Sequence, residues 1–216
     1  MADNMQKINV IIVEDDREQA ELLRVILSTS DKYNVAGMAE SYEECVELLN
    51  NNKIDLMTVD IELQGEKTGI DIISYATDKY KNILTLVHTV NEDSEILFDA
   101  LKAGAGGYIL KGSSLVEIFS SIERLQAGDV PMTPKIARRL IASFKQNKDS
   151  GGQELLSKRE MEILDFADRG FSYQQIAKHC GISRHTVHTH FKHIYTKLQV
   201  NSKLSAIKKA KNMAII

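Results

Sequence analysis

The sequence predicts two domains of different fold class, an α/β domain with a doubly wound parallel sheet and, after it, a small all-α domain. Three observations predict this division. Short apolar segments alternate with helical patterns over residues 1–129, helical patterns alone follow from residue 154, and the formal charge changes sign between the two parts. A chain of 216 residues also has room for two small domains.

Five short apolar segments are the candidate strands of the first domain: Ile8–Val13, Asn34–Ala39, Asp55–Val59, Ile83–Thr89 and Gly107–Leu110. Each is followed by a helical pattern, in order Arg17–Thr29, Tyr42–Asn50, Gly69–Thr77, Ser94–Ala103 and Leu115–Ala127. This alternation favours a parallel sheet that is covered by helices on both faces. We therefore expect a flavodoxin-like domain of five parallel strands, with its site at the carboxyl ends of the strands.

A boundary region is predicted over residues 130–153. Pro131 and Pro134 lie at its start, and the polar, glycine-containing segment QNKDSGGQ lies at its end. Between them, Ile136–Phe144 has apolar residues at helical spacing, which predicts a connecting helix.

The last part of the chain predicts four helices. The first begins where Ser157 is followed three residues later by Glu160, which is the pattern of a capping box. A second short helix, Ser172–Cys180, is joined by a glycine-containing turn to a third helix, Arg184–Leu198, and Lys203–Ala214 predicts a fourth. Two short helices joined in this way are typical of a helix-turn-helix.

Charge divides the chain at the same place. Residues 154–216 hold 11 Lys and Arg against 5 Asp and Glu, a formal charge of +6, so the rest of the chain carries −9 of the total of −3. A basic domain joined to an acidic one indicates that the two have different partners, and the basic domain is a candidate for binding nucleic acid.

The cellular compartment is predicted from the apolar segments, the first residues and the cysteines. No segment approaches the roughly 20 apolar residues of a membrane helix, and the first residues do not have the pattern of a secretory signal peptide. Cys45 and Cys180 show no metal or redox spacing. We expect a cytoplasmic protein without a membrane partner, whose cysteines are buried as small apolar residues.

Carboxylates follow two of the predicted strands. Glu14, Asp15 and Asp16 come directly after the first strand, and Asp60 ends the third. Acidic residues in such a place also cap the following helix, and Asp16 suits that role. If the first and third strands are neighbours, the other carboxylates converge at one edge of the sheet, where a cluster of oxygen ligands suits Mg²⁺.

Thr89 and Lys111 also lie at or just past strand ends. With VEDD, DLMTVDI and GGYILKG, they make residues 8–144 resemble a response-regulator receiver domain with its linker. The resemblance implies that Asp60 accepts a phosphoryl group. It also implies Mg²⁺ ligands and phosphoryl-responsive groups: Glu14, Asp15, Asp60 and the backbone carbonyl of Glu62 for the metal, and Thr89, Tyr108 and Lys111 for the phosphoryl group.

The loop after Asp60 departs from the pattern of that family. The family often has a proline and a glycine there, whereas this chain has Ile61-Glu62-Leu63-Gln64-Gly65 and one additional residue before Gly69. The rigidity of this loop is therefore left open by the resemblance.

LSKREMEIL and FSYQQIAKHCGISRHTVHTHFKHIYTKLQV resemble the LuxR-type helix-turn-helix, the output domain of NarL/FixJ-class regulators. In the third helix, Val187, Phe191, Ile194 and Leu198 recur on one face and predict its buried side. The opposite, polar face is expected to enter the major groove of DNA. The predicted contacts are Arg184, His185, His188, Thr189, Lys192, Thr196 and Lys197.

Four of the six histidines lie on this helix. A zinc site or a catalytic role is disfavoured, because His190 and His193 point away from His188 and have no cysteine or carboxylate nearby on the helix. His190 is expected to pack inside the domain. Many LuxR-type helices have lysine in place of His188. Unlike lysine, histidine gains its charge only as the pH falls. We therefore expect DNA binding to tighten as the pH falls toward about 6 and His185 and His188 become charged.

These features predict a transcriptional regulator that is not an enzyme. A sensor histidine kinase would phosphorylate Asp60 with Mg²⁺, and a homodimer would bind an inverted repeat in double-stranded DNA, with RNA polymerase as a further candidate partner. The last helix, with Leu204, Ile207 and Ala210, is the candidate dimer contact unless it packs within its own domain. Two alternatives remain: a phosphorylation-independent regulator that dimerises through its receiver, and an aspartyl-phosphate phosphotransfer enzyme.

Overall fold

The computed structural model describes residues 7–65, 67–149 and 155–216, with the side chains of residues 143–149 outside that description. The chain divides into two compact units, Met1–Phe144 and Lys145–Ile216. The part of the predicted boundary at residues 150–153 lies outside the described residues. Within the described ranges, no helix has both the length and the apolar character that crossing a membrane requires.

The first unit contains a five-stranded parallel sheet with the strand order β2-β1-β3-β4-β5. Its strands are β1 (Ile8–Val13), β2 (Tyr33–Ala39), β3 (Leu56–Val59), β4 (Leu84–Thr89) and β5 (Gly107–Leu110). Its helices are α1 (Arg17–Ser28), α2 (Tyr42–Asn51), α3 (Gly69–Lys79), α4 (Ser94–Lys102) and α5 (Leu115–Gln126). The predicted fold class is confirmed, and no strand boundary differs from the prediction by more than one residue.

Helices cover both faces of this sheet. One apolar core lies between the sheet and α1 and α5, and a second lies between the sheet and α2, α3 and α4. All four residues of β3 are buried, because it lies between two other strands and beneath helices on both sides. This arrangement explains why β3 is almost entirely apolar.

The strand order brings the ends of three strands together. Val13 of β1 is in register with Val59 of β3, which is in register with Val87 of β4. The residues that follow these positions therefore meet at the carboxyl edge of the sheet. The chain also folds back closely here, since a Cβ on Gly69 would lie 2.0 Å from the carbonyl oxygen of Asp60. Only glycine permits this approach of the α3 N-terminus.

The segment after α5 returns along the edge of the sheet. Tyr108 of β5 donates its backbone N–H to the carbonyl of Pro131, and it forms a parallel bridge with Met132. Helix α6 follows over Pro134–Asp149, and Ile136 is buried in the core beneath α2, α3 and α4. The helix begins two residues before the predicted Ile136, because proline suits the first turn of a helix.

Among the described residues of the second unit, all regular secondary structure is helical, as predicted. Its helices are α7 (Lys158–Asp168), α8 (Tyr173–Cys180), α9 (Arg184–Leu198) and α10 (Lys203–Asn212). The predicted capping box of Ser157 and Glu160 is present at the start of α7. Gly181 ends α8 with a φ of 65°, a conformation that glycine adopts without strain, and so makes the turn between α8 and α9.

The apolar face of α9 forms the centre of this unit. Val187, Phe191, Ile194 and Leu198 are buried there, as their spacing predicts. The ring of Phe191 stacks on Tyr173 of α8, with 4.8 Å between the ring centroids. This contact fixes the position of α9 against α8, so the opposite face of α9 is held in a defined orientation.

Candidate functional site

The predicted carboxylates meet at the carboxyl edge of the sheet. Glu14, Asp15 and Asp60 each offer an oxygen, and these atoms lie within 4.8 Å of one another. The Nζ atom of Lys111 lies 2.6 Å from Oδ2 of Asp60 and 2.8 Å from Oε1 of Glu14. Asp60 is only 3% exposed. The fold thus places one ammonium group between two buried carboxylates.

Burial and neighbouring charges set the protonation of this cluster. Burial raises the pKa of Glu14, and the hydrogen bond from Lys111 only partly offsets this. Burial acts to lower the pKa of Lys111, but its hydrogen bonds and ion pairs with Asp60 and Glu14 outweigh that effect and raise the pKa. Lys111 is therefore held in its charged form.

The donor set fits a hard divalent cation. Three carboxylates from two strand ends offer oxygen ligands alone, as Mg²⁺ prefers, and the site is partly open at Asp15. The backbone N–H of Gln64 donates to Oδ2 of Asp15 at 3.1 Å, so the loop after Asp60 is tied to the cluster. The backbone N–H of Glu62 donates to Oδ1 of Asp60, and the predicted role of the Glu62 carbonyl stays a prediction.

Asp16 does not belong to the cluster. Its side chain accepts hydrogen bonds from the backbone N–H groups of Glu18 and Gln19, and so it is the N-cap of α1. This confirms the prediction that the third residue of the acidic run caps the helix, and it leaves Glu14 and Asp15 for the site.

Thr89 and Tyr108 lie beside the cluster and are both fully buried. The hydroxyl oxygen of Thr89 accepts the backbone N–H of Asn91 at 3.2 Å. The hydroxyl of Tyr108 donates to the backbone carbonyl of Asn91 at 2.8 Å. The two residues are therefore connected through the backbone of one loop residue. The Tyr108 ring is buried in the core of the receiver unit.

Sequence patterns did not point to Asn91. Its side-chain amide donates to Oε1 of Glu62 at 2.9 Å, which joins the loop after β4 to the loop after Asp60. Two loops of unrelated sequence meet here, and no pattern within either loop signals such a contact. His88 was also missed, although a histidine within the apolar segment ILTLVHT was a visible signal.

His88 is buried beside the cluster at the end of β4. Its Nε2 atom has no hydrogen-bond partner among the described residues. Burial, helped by the charge of Lys111, lowers the pKa of His88 to about 4. The imidazole is therefore neutral under ordinary conditions.

The polar face of α9 is only partly as predicted. The predicted contacts Arg184, His188, Thr196 and Lys197 are exposed, and His185 and Lys192 are partly buried. Thr189 was expected on this face, and the structure corrects that expectation because Thr189 is 3% exposed. Its hydroxyl donates to the carbonyl of His185 one turn earlier, a common alternative for threonine within a helix.

Lys197 has a partner inside its own unit. Its Nζ atom lies 2.7 Å from Oε2 of Glu160, the fully buried carboxylate of the α7 capping box. The predicted role of Lys197 as a DNA contact therefore competes with an internal ion pair. The helical wheel could not reveal this, because the partner lies on another helix.

The histidines of α9 have different surroundings. His190 is fully buried, as predicted. Burial first, and then the charges of Lys192 and Arg184, lower the pKa of His188. His188 is thus more weakly basic than an ordinary surface histidine, although its side chain remains exposed.

Comparison with known families accounts for both units. Residues 10–123 match the family described as "Response regulator receiver domain", which is more than half of the chain. Residues 154–210 match the family described as "Bacterial regulatory proteins, luxR family".

Similar proteins align over nearly the whole length. The transcriptional regulatory protein YdfI of Bacillus subtilis is 28% identical over 208 residues, covering 96% of this chain and 97% of YdfI. The crystal structure of ChrA, a response regulator of a heme-sensing two-component system, is 28% identical with a TM-score of 0.52, covering 97% of this chain and 99% of ChrA. A structure of two RcsB dimers bound to two parallel DNAs shares the fold, with 24% identity, a TM-score of 0.60 and coverage of 95% and 98%.

Proposed function

This chain belongs to the NarL/FixJ-class response regulators, which join a receiver domain to a LuxR-type helix-turn-helix domain, and we propose that phosphorylation of Asp60 controls its binding to DNA. The observation that carries the proposal is the contact of Asp60 with Lys111 inside a cluster of carboxylates. A sensor histidine kinase of the same two-component system is the proposed phosphoryl donor.

Asp60 is the proposed nucleophile. A carboxylate oxygen can attack a phosphoryl group and form an acyl phosphate. Oδ1 of Asp60 is held by the backbone N–H of Glu62, and Oδ2 is held by Lys111, so the carboxylate has a fixed orientation. Lys111 then supplies a compact positive charge to the oxygens of the incoming group.

Mg²⁺ is the proposed cofactor. Glu14, Asp15, Asp60 and the carbonyl of Glu62 would hold it, and when bound it would neutralise phosphoryl charge and orient the group. Glu14 must be ionised to serve as a ligand. Since burial raises the pKa of Glu14, metal affinity is expected to fall as the solution becomes acidic.

Thr89 is proposed to respond to the phosphoryl group. Thr89 ends β4, and its backbone carbonyl accepts the backbone N–H of Lys111 at 2.8 Å, which ties it to the residue that contacts Asp60. A phosphoryl group on Asp60 would offer the Thr89 hydroxyl a strong acceptor. Any movement of Thr89 is passed to Asn91 and from there to Tyr108, because all three are joined by hydrogen bonds.

The helix-turn-helix unit is proposed to bind double-stranded DNA through α9. Arg184, His188, Lys192 and Thr196 offer cations and hydrogen-bond donors for phosphates and base edges. A homodimer would match an inverted repeat, as two-fold sites require. Of the candidate contacts on α10, Ile207 and Ala210 pack within their own unit, so strongly exposed Leu204 is the proposed apolar contact between the two copies.

The test compares DNA fragments retained by the protein and by the Asp60→Ala variant, each treated with Mg²⁺ and a small acyl phosphate. Sequencing of the retained genomic fragments is the measurement. The phosphodonor is expected to strengthen retention of inverted-repeat fragments by the parent alone. If both proteins retain the same fragments equally, Asp60 is not the switch, and a phosphorylation-independent regulator becomes the better account.

A further inference from the structure

We propose that Glu92 is a latch that holds the linker helix α6 on the receiver unit, and that phosphorylation of Asp60 opens this latch. The second half of the inference rests on the proposed function, whereas the first half stands on the contacts of Glu92. Glu92 lies in the loop between β4 and α4, three residues after Thr89.

Glu92 is held by two cations of α6. Its carboxylate lies 2.6 Å from Nζ of Lys135 and 2.8 Å from Nη2 of Arg139, and its backbone carbonyl accepts Nη1 of Arg139 at 2.9 Å. Lys135 and Arg139 are four residues apart, so they lie on the same face of the helix. A single loop residue thus binds two side chains of α6 that lie about one helical turn apart.

The latch closes over an apolar contact. Ile136, which lies between the two cations in sequence, is buried against the core beneath α2, α3 and α4, and Leu140 and Met132 pack against the same core. The segment before the helix is fixed as well, because Pro131 accepts the backbone N–H of Tyr108. The start of α6 is therefore fixed on one side by β5 and on the other by Glu92.

Glu92 is directly connected to the residues that would sense a phosphoryl group. Its neighbour Asn91 donates its backbone N–H to the hydroxyl oxygen of Thr89 and accepts the hydroxyl of Tyr108. If Thr89 moves toward a phosphoryl group on Asp60, Asn91 loses this acceptor and the loop shifts. Glu92 would then move away from Lys135 and Arg139, and the start of α6 would keep its apolar contact and the hydrogen bond from Tyr108 to Pro131.

The strength of the latch suits reversible opening. All three charged groups are partly exposed, and pairs of this kind contribute little individually. A small local shift can therefore change the population of the bound helix, which a deeply buried ion pair would resist. The latch would set how readily α6 leaves the receiver.

Hydrogen exchange of the full-length chain tests the latch. The variants are Glu92→Gln, which removes the charge and keeps the shape, and Glu123→Gln as the matched control, since Glu123 pairs with Lys32 in an exposed salt bridge away from α6. In Glu92→Gln, amides of residues 137–142 are expected to exchange about two- to fivefold faster. In Glu123→Gln they should exchange as in the parent.

Treatment with Mg²⁺ and acetyl phosphate tests the coupling, with phosphorylation verified by intact mass. The parent is expected to show the same increase in exchange, Glu92→Gln little further increase, and Asp60→Asn none.

Unchanged exchange of α6 in Glu92→Gln would overturn the latch. A phosphorylated parent with unchanged α6 exchange would overturn the coupling. If Asp60 takes up no phosphoryl group, the proposed function and the coupling fail, and the comparison of Glu92→Gln with Glu123→Gln still decides the latch.

Discussion

The acidic pocket of the receiver and the polar face of α9 are built in different ways. The pocket is assembled from the ends of several strands, and its central carboxylates are buried and bonded to one ammonium group. The face of α9 lies on a single helix, and its charged residues are largely exposed. The pocket depends on the whole sheet, whereas the face of α9 depends on one helix and on the contacts it makes with its neighbours.

This difference explains why single side chains contribute more to stability in the pocket than on α9. In the pocket, each charged group depends on the others because water is largely excluded, so the removal of one partner leaves a buried charge. On α9, solvent screens the charges, and each residue contributes a small and separable amount. We therefore expect substitutions in the pocket to change stability strongly, and substitutions on α9 to change mainly DNA affinity.

The largest expected effect follows the substitution Lys111→Gln. Glu14 and Asp60 would remain buried without their cation, and this type of change lowers the free energy of unfolding by about 3–5 kcal/mol. Urea denaturation at neutral pH without Mg²⁺ measures the change. Lys32→Gln, which breaks an exposed pair with Glu123, is the control and should change stability by less than about 1 kcal/mol.

Mg²⁺ sharpens this test. If Mg²⁺ binds to the same carboxylates, as proposed, it would replace the missing charge and should restore more stability to Lys111→Gln than it adds to the parent. Equal stabilisation of both proteins by Mg²⁺ would show that Lys111 and the metal do not share the site.

The pocket was more predictable from the sequence than the face of α9. Parallel strands end at one edge, so Asp15 and Asp60 could be placed together once the strands were recognised. Thr189 was assigned by helical spacing and Lys197 by its charge, and neither criterion carries information on a back-bonded hydroxyl or on a carboxylate of α7. The bridge of Asn91 to Glu62 was not predictable either, because it joins two loops that are distant in sequence.

His88 gives the next largest effect, and it is confined to acidic pH. Its pKa is about 4 in the folded protein and about 6.5 in the unfolded chain. The unfolded state therefore binds the proton first, and stability is lost as the pH falls from about 6.5 to about 4, by about 3 kcal/mol. The measurement is the unfolding free energy of the parent and of His88→Gln across this range.

The difference between the two proteins isolates the histidine, because the carboxylates titrate in both. His88→Gln should lose less stability on acidification than the parent does. If the two profiles run parallel, the ring of His88 is protonated as easily in the folded state as in the unfolded one.

Lys197 and Arg184 test the comparison within one helix. Lys197→Gln leaves the buried Glu160 carboxylate without its cation, and because Lys197 is itself partly exposed the expected loss of stability is about 1 kcal/mol.

Arg184→Gln should leave stability nearly unchanged. It should weaken DNA binding and reduce the dependence of log affinity on log salt by about one unit, as the loss of a phosphate contact does. Thermal unfolding measures stability, and salt-dependent DNA titration measures phosphate contact. If Arg184→Gln loses stability and Lys197→Gln loses the salt dependence, the two residues have the opposite roles.

The smallest expected effect is the pH dependence of DNA binding through His188. Burial and the charges of Lys192 and Arg184 lower its pKa in the free protein, whereas DNA phosphates would favour the charged ring and raise the pKa in the complex. The complex then binds more protons than the free protein, so affinity rises as the pH falls. The rise begins as the pH falls to the pKa of His188 in the complex and ends below the pKa in the free protein, so the lowered pKa of the free protein extends the rise toward acidic pH. We expect an increase of about two- to threefold between pH 7.5 and 6. His188→Gln should flatten this profile, and His188→Lys should bind more tightly with little pH dependence. If His188→Gln keeps the full slope at constant salt, the proton is taken up elsewhere, and His188 contributes to the surface of α9 without sensing pH.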